Sequence, residues 1–184
     1  MPIGPARYPG SSSRGTSKVI GEKEESALLR AVIDTNVLFS PRLRAELQEL
    51  AFLGVFMALW SPWIIAELTR VLVWQWITER TKGDLSPANE RACGHSAKKM
   101  MTLLLSAFEV VNPRPPYPEA WDRLTDRDDH PIWATAVEGH AQYVVSDNTS
   151  DYPPRQPDGR HIHQGIEYIS GDAFLTLLLS ALPE

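Results

Sequence analysis

The stretch Ala31 to Ser40, AVIDTNVLFS, constrains the fold of this chain more than any other segment. An apolar run stops abruptly at Asp34, passes through Thr35 and Asn36, and then becomes apolar again. Short apolar runs bounded by polar residues are typical of buried strands in parallel sheets, and such sheets bind ligands at the carboxyl ends of their strands. The pattern therefore predicts Asp34 at a ligand-binding edge, with a helix cap near Asn36 as the alternative.

Short apolar runs alternate with helical patterns along the rest of the chain. Further strands are predicted at residues 55–60, 108–111, 142–146 and 166–170, and the segment 148–165, NTSDYPPRQPDGRHIHQG, is predicted to be a loop. Amphipathic helices are predicted after Ser40, after the Ser-Pro pairs at 61–62 and 86–87, from about His130 to Gly139, and at the end of the chain. This alternation is typical of a mainly parallel sheet with helices on both faces.

Carboxylates recur where these strands end. Asp147 follows the strand at 142–146 as Asp34 follows the first one, and the run Asp126 to Asp129 precedes a predicted helix. Right-handed crossovers place the carboxyl ends of parallel strands on one edge, so we expect these side chains to converge. Glu67 lies between the apolar rows of the helix after the second strand. Its side chain is therefore predicted either to lie at the edge of the core or to point into a cavity shared with the other carboxylates.

Carboxylates that are held close together repel one another unless some are protonated or a cation binds between them. Oxygen ligands without a cluster of Cys or His favour Mg²⁺ or Mn²⁺ over Zn²⁺. Ions held in this way can activate water and stabilise the oxyanions of a phosphodiester. The pattern therefore predicts metal-dependent phosphodiester hydrolysis. Thr35 and Asn36 are expected either to orient Asp34 or to shape the turn.

Composition sets the remaining limits. The chain has 184 residues, of which 43% are hydrophobic and 22% charged, and this size predicts a single domain. The net charge of -5 provides no global positive field, although cations bound at a carboxylate site would offset part of it, so a nucleic-acid substrate stays open. One cysteine and no apolar stretch of membrane-spanning length predict a cytoplasmic protein without a membrane partner. Residues 1–28 are interpreted as a flexible leader and residues 29–184 as the folded domain.

Four segments carry a family resemblance: VIDTNVL, SPWIIAELTRVL, DRDDHPIWATAVEGHAQYVVSDN and GIEYISGDAFL. In this order they resemble the PIN-domain family, especially the VapC-like toxin ribonucleases, over about residues 30–182. The resemblance implies a three-layer α/β/α domain with a central, mainly parallel sheet that gathers acidic residues around Mg²⁺ or Mn²⁺ and cleaves RNA. It also implies a cognate antitoxin as partner in a type II toxin-antitoxin pair, and a homodimer is a further expectation.

The resemblance also assigns residues by position. Asp34 corresponds to the first metal ligand, Glu67 to the acid on the helix, and Asp128 or Asp129 to the third acid. The predicted protein is thus a metal-dependent endoribonuclease whose catalytic and metal-binding groups include these carboxylates.

The fourth acid departs from the family pattern. The family often has it where this chain has Asn148, which leaves Asp147 and Asp151 as the carboxylates that can replace it. This departure supports the alternative of a non-catalytic PIN-like module that binds RNA or protein. A different metal-dependent phosphohydrolase is the second alternative, but Asn36 stands where an aspartyl-phosphate mechanism would need another aspartate.

Overall fold

The computed structural model describes residues 28–182, so the predicted leader lies outside the described residues except for Leu28. Its strands are β1 (Arg30–Ile33), β2 (Met57–Trp60), β3 (Phe108–Val110), β4 (Tyr143–Val145), β5 (His161–His163) and β6 (Ile166–Ile169). Its α-helices are α1 (Pro41–Phe52), α2 (Pro62–Thr81), α3 (Pro87–Leu105), α4 (His130–Glu138) and α5 (Gly171–Ser180). Within this part of the chain, no helix has both the length and the apolar character that crossing a bilayer requires.

The six strands form one sheet in the order β3-β2-β1-β4-β6-β5. Every neighbouring pair is parallel except β5 and β6. Ile33 pairs with Val145, so the carboxyl ends of β1 and β4 lie side by side at the middle of the sheet. The predicted α/β fold with a mainly parallel sheet is therefore confirmed.

Helices cover both faces of the sheet. Tyr143 contacts Phe174 of α5, with ring centroids 5.6 Å apart, whereas the next residue, Val144, lines a recess together with Ile132 of α4. Successive strand residues point to opposite faces, so α5 and α4 lie in different layers. Phe56 also contacts Phe174 edge to face at 5.2 Å, which places this packing on the α5 side. The arrangement is the predicted three-layer α/β/α sandwich.

The prediction that residues 148–165 form only a loop is wrong. Residues 149–151 form a short 3-10 turn, and β5 pairs antiparallel with β6. Gln164 and Gly165 connect the two strands with positive φ angles of 47° and 83°, as in a two-residue hairpin turn. Gln-Gly is a weaker turn signal than Asn-Gly or Asp-Gly, which explains why the sequence did not reveal the hairpin.

Ser-Pro pairs start the three helices that follow β1 and β2. The hydroxyl oxygens of Ser40, Ser61 and Ser86 accept hydrogen bonds from the backbone amides three residues later, at 3.3 to 3.4 Å. Proline then occupies the first turn, where its missing N–H costs nothing. Since α2 begins at the carboxyl end of β2, its first two turns place Glu67 next to the edge where β1 ends.

Candidate functional site

Asp34 is the central side chain of this edge. It follows β1, is only 7% exposed, and its backbone N–H donates to the carbonyl of Val145 at 2.9 Å. Its carboxylate accepts three hydrogen bonds, from the Thr35 amide at 2.6 Å, the Asn36 side chain at 2.7 Å and the Ser146 hydroxyl at 2.8 Å. These donors fix the carboxylate in one orientation, so Asp34 belongs to this site and does not cap a helix.

Asn36 and Ser146 also tie the ends of β1 and β4 together. The Asn36 amide donates to the Ser146 hydroxyl at 3.0 Å, and its oxygen accepts from the Asp147 backbone at 2.9 Å. The backbone N–H of Asn148 donates to the same hydroxyl oxygen at 3.2 Å. Asn36 therefore orients Asp34 and also shapes the turn, so both expected roles are present. Sequence reasoning did not single out Ser146.

Glu67 lies in the shared cavity and not merely at the edge of the core. Its Oε2 accepts a hydrogen bond from the Thr35 hydroxyl at 3.1 Å. An open recess of about 220 Å³ is lined by the carboxylates of five residues: Asp34, Glu67, Asp126, Asp128 and Asp129. Helix α2 and the segment before α4 thus bring their acids to the end of β1.

Asp129 has an unusual environment for the N-cap residue of α4. Its side chain makes no capping hydrogen bond, and its buried Oδ2 meets no N–H or hydroxyl donor among the described residues. The group beside it is the carboxyl of Asp151, which can hydrogen-bond to it only when one of the two is protonated. It lines a smaller inner recess with Asp34, Asp151, Ser146 and Tyr168. The volume of this recess, about 10 Å³, is enough for roughly one water-sized ligand.

Asp147 and Asp151 lie in different places. The carboxylate of Asp147 accepts a hydrogen bond from the Gly171 amide at the start of α5, at 2.9 Å, and lines neither recess. Ser146 points towards Asp34, and the next residue along an extended chain points to the other face. The structure therefore does not bring the carboxylate of Asp147 together with the other acids, whereas it places Asp151 in the inner recess.

The electrostatics of the site disfavour several negative charges. Burial raises the pKa of Asp34 to about 6, against the opposing hydrogen bond from Ser146. Burial, with the negative charge of Asp151, raises the pKa of Asp129 to about 7. The pKa of Glu67 is also raised, again chiefly by burial. A positive ion among these groups would favour their ionised forms.

The residues present fit a divalent cation that prefers oxygen ligands. The recesses offer carboxylate, hydroxyl and amide oxygens, and the buried Oδ2 of Asp129 meets no N–H or hydroxyl donor among the described residues. Within residues 28–182, no three Asp, Glu, His or Cys side chains are already grouped closely enough to be a metal site. Mg²⁺ usually takes only one or two carboxylates directly and keeps several waters, so the other acids would hold an ion here through its waters.

Two comparisons with known proteins give matches. The family described as PIN domain matches residues 30–150, which is more than half of the chain. The crystal structure of PAE2754 from Pyrobaculum aerophilum is similar with a TM-score of 0.49 and 15% sequence identity, over 83% of this chain and 90% of that chain. No curated protein sequence gives a significant match.

Proposed function

The chain belongs to the PIN-domain family, which has a nuclease-like fold, and we propose that it is a Mg²⁺- or Mn²⁺-dependent endoribonuclease. The observation that carries this proposal is the buried Oδ2 of Asp129, which meets no N–H or hydroxyl donor among the described residues and lies beside the carboxyl group of Asp151 in a recess that Asp34 also lines. A buried carboxylate oxygen without a partner is costly, and a cation would offset that cost. A hydrolase that acts on phosphodiester bonds accounts for such a site.

Four residues would hold the metal: Asp34, Asp129 and Asp151 around the inner recess, with Glu67 in the adjoining outer one. A bound Mg²⁺ or Mn²⁺ supplies Lewis-acid stabilisation of the phosphodiester oxygens and lowers the pKa of water. Ser146 and Asn36 keep the Asp34 carboxylate in a fixed orientation, which avoids reorganisation during the reaction.

Cleavage of labelled RNA by the purified protein, with Mg²⁺, Mn²⁺ or a chelator, tests this function. Cutting that requires the metal would support it. RNA that is retained without being cut under any metal would favour the non-catalytic module, for which Asn148 at the fourth-acid position is the supporting observation. Hydrolysis of a small phosphomonoester without cleavage of RNA would favour the other phosphohydrolase.

We further propose that the protein is the toxin of a type II pair, restrained by a cognate antitoxin and assembled as a homodimer. The resemblance of its four segments to VapC-like ribonucleases supports this role. Induction in a bacterial host should arrest growth, and co-expression of the partner should relieve the arrest. Arrest that persists when Asp34 is replaced by Asn would contradict a role for the nuclease site.

The fourth acid gives a paired prediction. Asp151→Asn is expected to reduce metal-dependent RNA cleavage about 10²-fold, because it removes charge from the inner recess. Asp147→Asn is expected to change cleavage less than about threefold, because an asparagine oxygen can still accept the hydrogen bond from Gly171. Rates measured side by side check this. A large loss in the Asp147 variant with none in the Asp151 variant would reverse the assignment.

The raised pKa values predict how stability depends on pH without metal. Burial raises the pKa of Asp34 to about 6 and that of Asp129 to about 7, from the ordinary 3.8. Between pH 3.8 and these raised values, the folded protein therefore binds more protons than the unfolded chain. Their contribution to the free energy of unfolding is complete below about pH 4 and is lost as pH rises through 6 to 7.

Thermal unfolding in EDTA is therefore expected to show a midpoint a few degrees lower at pH 8 than at pH 5.5. Saturating Mg²⁺ or Mn²⁺ should remove most of this difference, because the cation binds the ionised carboxylates. A double variant, Asp34→Asn with Asp129→Asn, is the matched control and should show a flatter dependence. A midpoint in EDTA that rises from pH 5.5 to pH 8 in the native sequence but not in the variant would contradict the site.

A further inference from the structure

A second feature, outside the carboxylate site, is a basic groove between α1, α2 and α3 with a volume of about 610 Å³. We define the basic groove by its basic lining residues: Arg44 of α1, Arg80 of α2, and His95 and Lys99 of α3. No Asp or Glu lines it among the described residues. The chain has a net charge of -5, so a groove lined by basic residues and no acidic ones differs from the rest of the protein. Such a groove suits an anionic ligand.

Arg44 gives the groove a fixed positive charge. Its side chain is half-buried, and its guanidinium donates a hydrogen bond to the carbonyl of Leu38. No salt bridge in the described part of the chain pairs it with a carboxylate. Burial lowers its pKa, which is the sign of a cation without a counter-charge. An anion in the groove would compensate this charge.

The other basic side chains lie along the same groove. The Arg80 guanidinium lies over the ring of Trp76, 4.5 Å from its centroid, and this stacking restricts the arginine side chain. His95 and Lys99 lie one turn apart on α3 and both are exposed. Held guanidinium groups bind phosphate with good geometry and little further loss of side-chain entropy.

One short segment of the chain contributes to both the basic groove and the carboxylate site. Pro41, the first residue of α1, lines the groove, and Phe39, two residues earlier, lines the outer carboxylate recess. The Leu38 carbonyl that holds Arg44 belongs to the same short segment between β1 and α1. Residues 39–41 therefore lie between the groove and the outer carboxylate recess along the chain.

We propose that the basic groove binds the phosphodiester backbone of single-stranded RNA on one side of the bond to be cut. This inference rests on the proposed function for the identity of the ligand. The positive lining of the groove and the segment 39–41 that connects it to the carboxylate recess favour RNA over an acidic protein segment, because a phosphodiester chain is the anion on which that recess is proposed to act. The groove also offsets the repulsion that phosphates meet near the carboxylates.

The test is RNA binding in EDTA, which does not depend on cleavage. The probe is a fluorescein-labelled, unstructured 20-nucleotide RNA, measured by anisotropy over a range of salt concentrations. The double variant Arg80→Gln with Lys99→Gln should weaken binding about tenfold. Each lost phosphate contact lowers the salt slope for a single strand by about 0.7, so the slope should fall by about 1.4. Lys99→Glu alone, at an exposed site, provides the same test if the double variant is unstable.

The matched control is Lys82→Gln with Lys98→Gln, which removes two exposed charges from the same helical region outside the groove. It should leave the slope nearly unchanged. Equal binding by the groove variant and the control overturns the inference, even when the native protein cuts RNA. Groove-dependent retention of RNA without cutting in any metal supports the inference and refutes the cleavage proposal. Groove-dependent binding of polyglutamate but not RNA overturns the inference in favour of an acidic protein partner.

Discussion

Replacing Asp34 by Asn is expected to reduce metal-dependent RNA cleavage by about 10³-fold or more. Its carboxylate lies at the centre of the site, held by three hydrogen-bond donors, and lines both recesses. An amide keeps the shape but removes the charge that would hold the cation, and a loss of about 4 kcal/mol of transition-state stabilisation corresponds to this rate change. Single-turnover cleavage of a labelled RNA measures the effect.

The fold should survive the Asp34 substitution, because the carboxylate carries an unfavourable buried charge in the absence of metal. The thermal unfolding midpoint in EDTA is expected to stay within a few degrees of that of the native protein. Asp122→Asn, an exposed carboxylate that lines neither recess, is the control and should cleave at the native rate. Unchanged metal-dependent cleavage by the Asp34 variant would refute the assignment of the site.

Replacing Asp129 by Asn is expected to abolish most of the stabilisation that Mn²⁺ gives to the native protein. Its buried Oδ2 meets no N–H or hydroxyl donor among the described residues, and burial together with the neighbouring Asp151 carboxyl raises its pKa, so the ionised form is disfavoured until a cation binds. The metal-free variant should therefore be at least as stable as the native protein at pH 8. Cleavage should fall about 10²-fold.

Thermal unfolding at pH 8 with increasing Mn²⁺ measures the Asp129 effect. The native midpoint should rise with metal concentration, since a ligand that binds only the folded state stabilises it. Asp128→Asn provides a neighbouring comparison, because Asp128 is exposed and lines only the outer recess. A full Mn²⁺ response in the Asp129 variant with none in the Asp128 variant would transfer the third-acid role to Asp128.

Much of the fold follows from local patterns in the sequence. The apolar runs ending at Ile33 and Val145 predict buried neighbouring strands, and the Ser-Pro pairs at Ser61 and Ser86 predict where α2 and α3 begin. The hairpin of β5 and β6 did not follow, because its Gln164-Gly165 turn lacks the usual sequence signal and His161 and His163 are polar. Their half-burial depends on packing against residues far along the chain, such as Trp121 and Tyr152.

The residues that form the site were easier to predict than the arrangement of their side chains. The parallel-sheet rule predicts that Asp34, the run Asp126 to Asp129 and Asp147 converge at one edge, with Glu67 either there or at the edge of the core. The structure brings all of them together except the carboxylate of Asp147, which contacts the Gly171 amide. Whether Asp147 or Asp151 joins them depends on which side chains point towards Asp34 after β4. The sequence Ser-Asp-Asn at this place does not predict which of its side chains do so. Ser146 contacts Asp34 because β1 and β4 are neighbouring strands. A single serine at the end of a predicted strand does not indicate which strand lies beside it.

The most direct measurement of the central claim is the chemistry of RNA cleavage by the purified native protein. A panel of labelled single-stranded and structured RNAs would be incubated with Mg²⁺, Mn²⁺ or EDTA, and the cleaved RNA ends would be identified. Hydrolysis by water at a metal-dependent carboxylate site predicts internal cutting that EDTA abolishes, without 2′,3′-cyclic phosphate products, and continued cutting where the scissile nucleotide lacks its 2′-hydroxyl. Cutting that proceeds in EDTA and ends in cyclic phosphates would contradict the account.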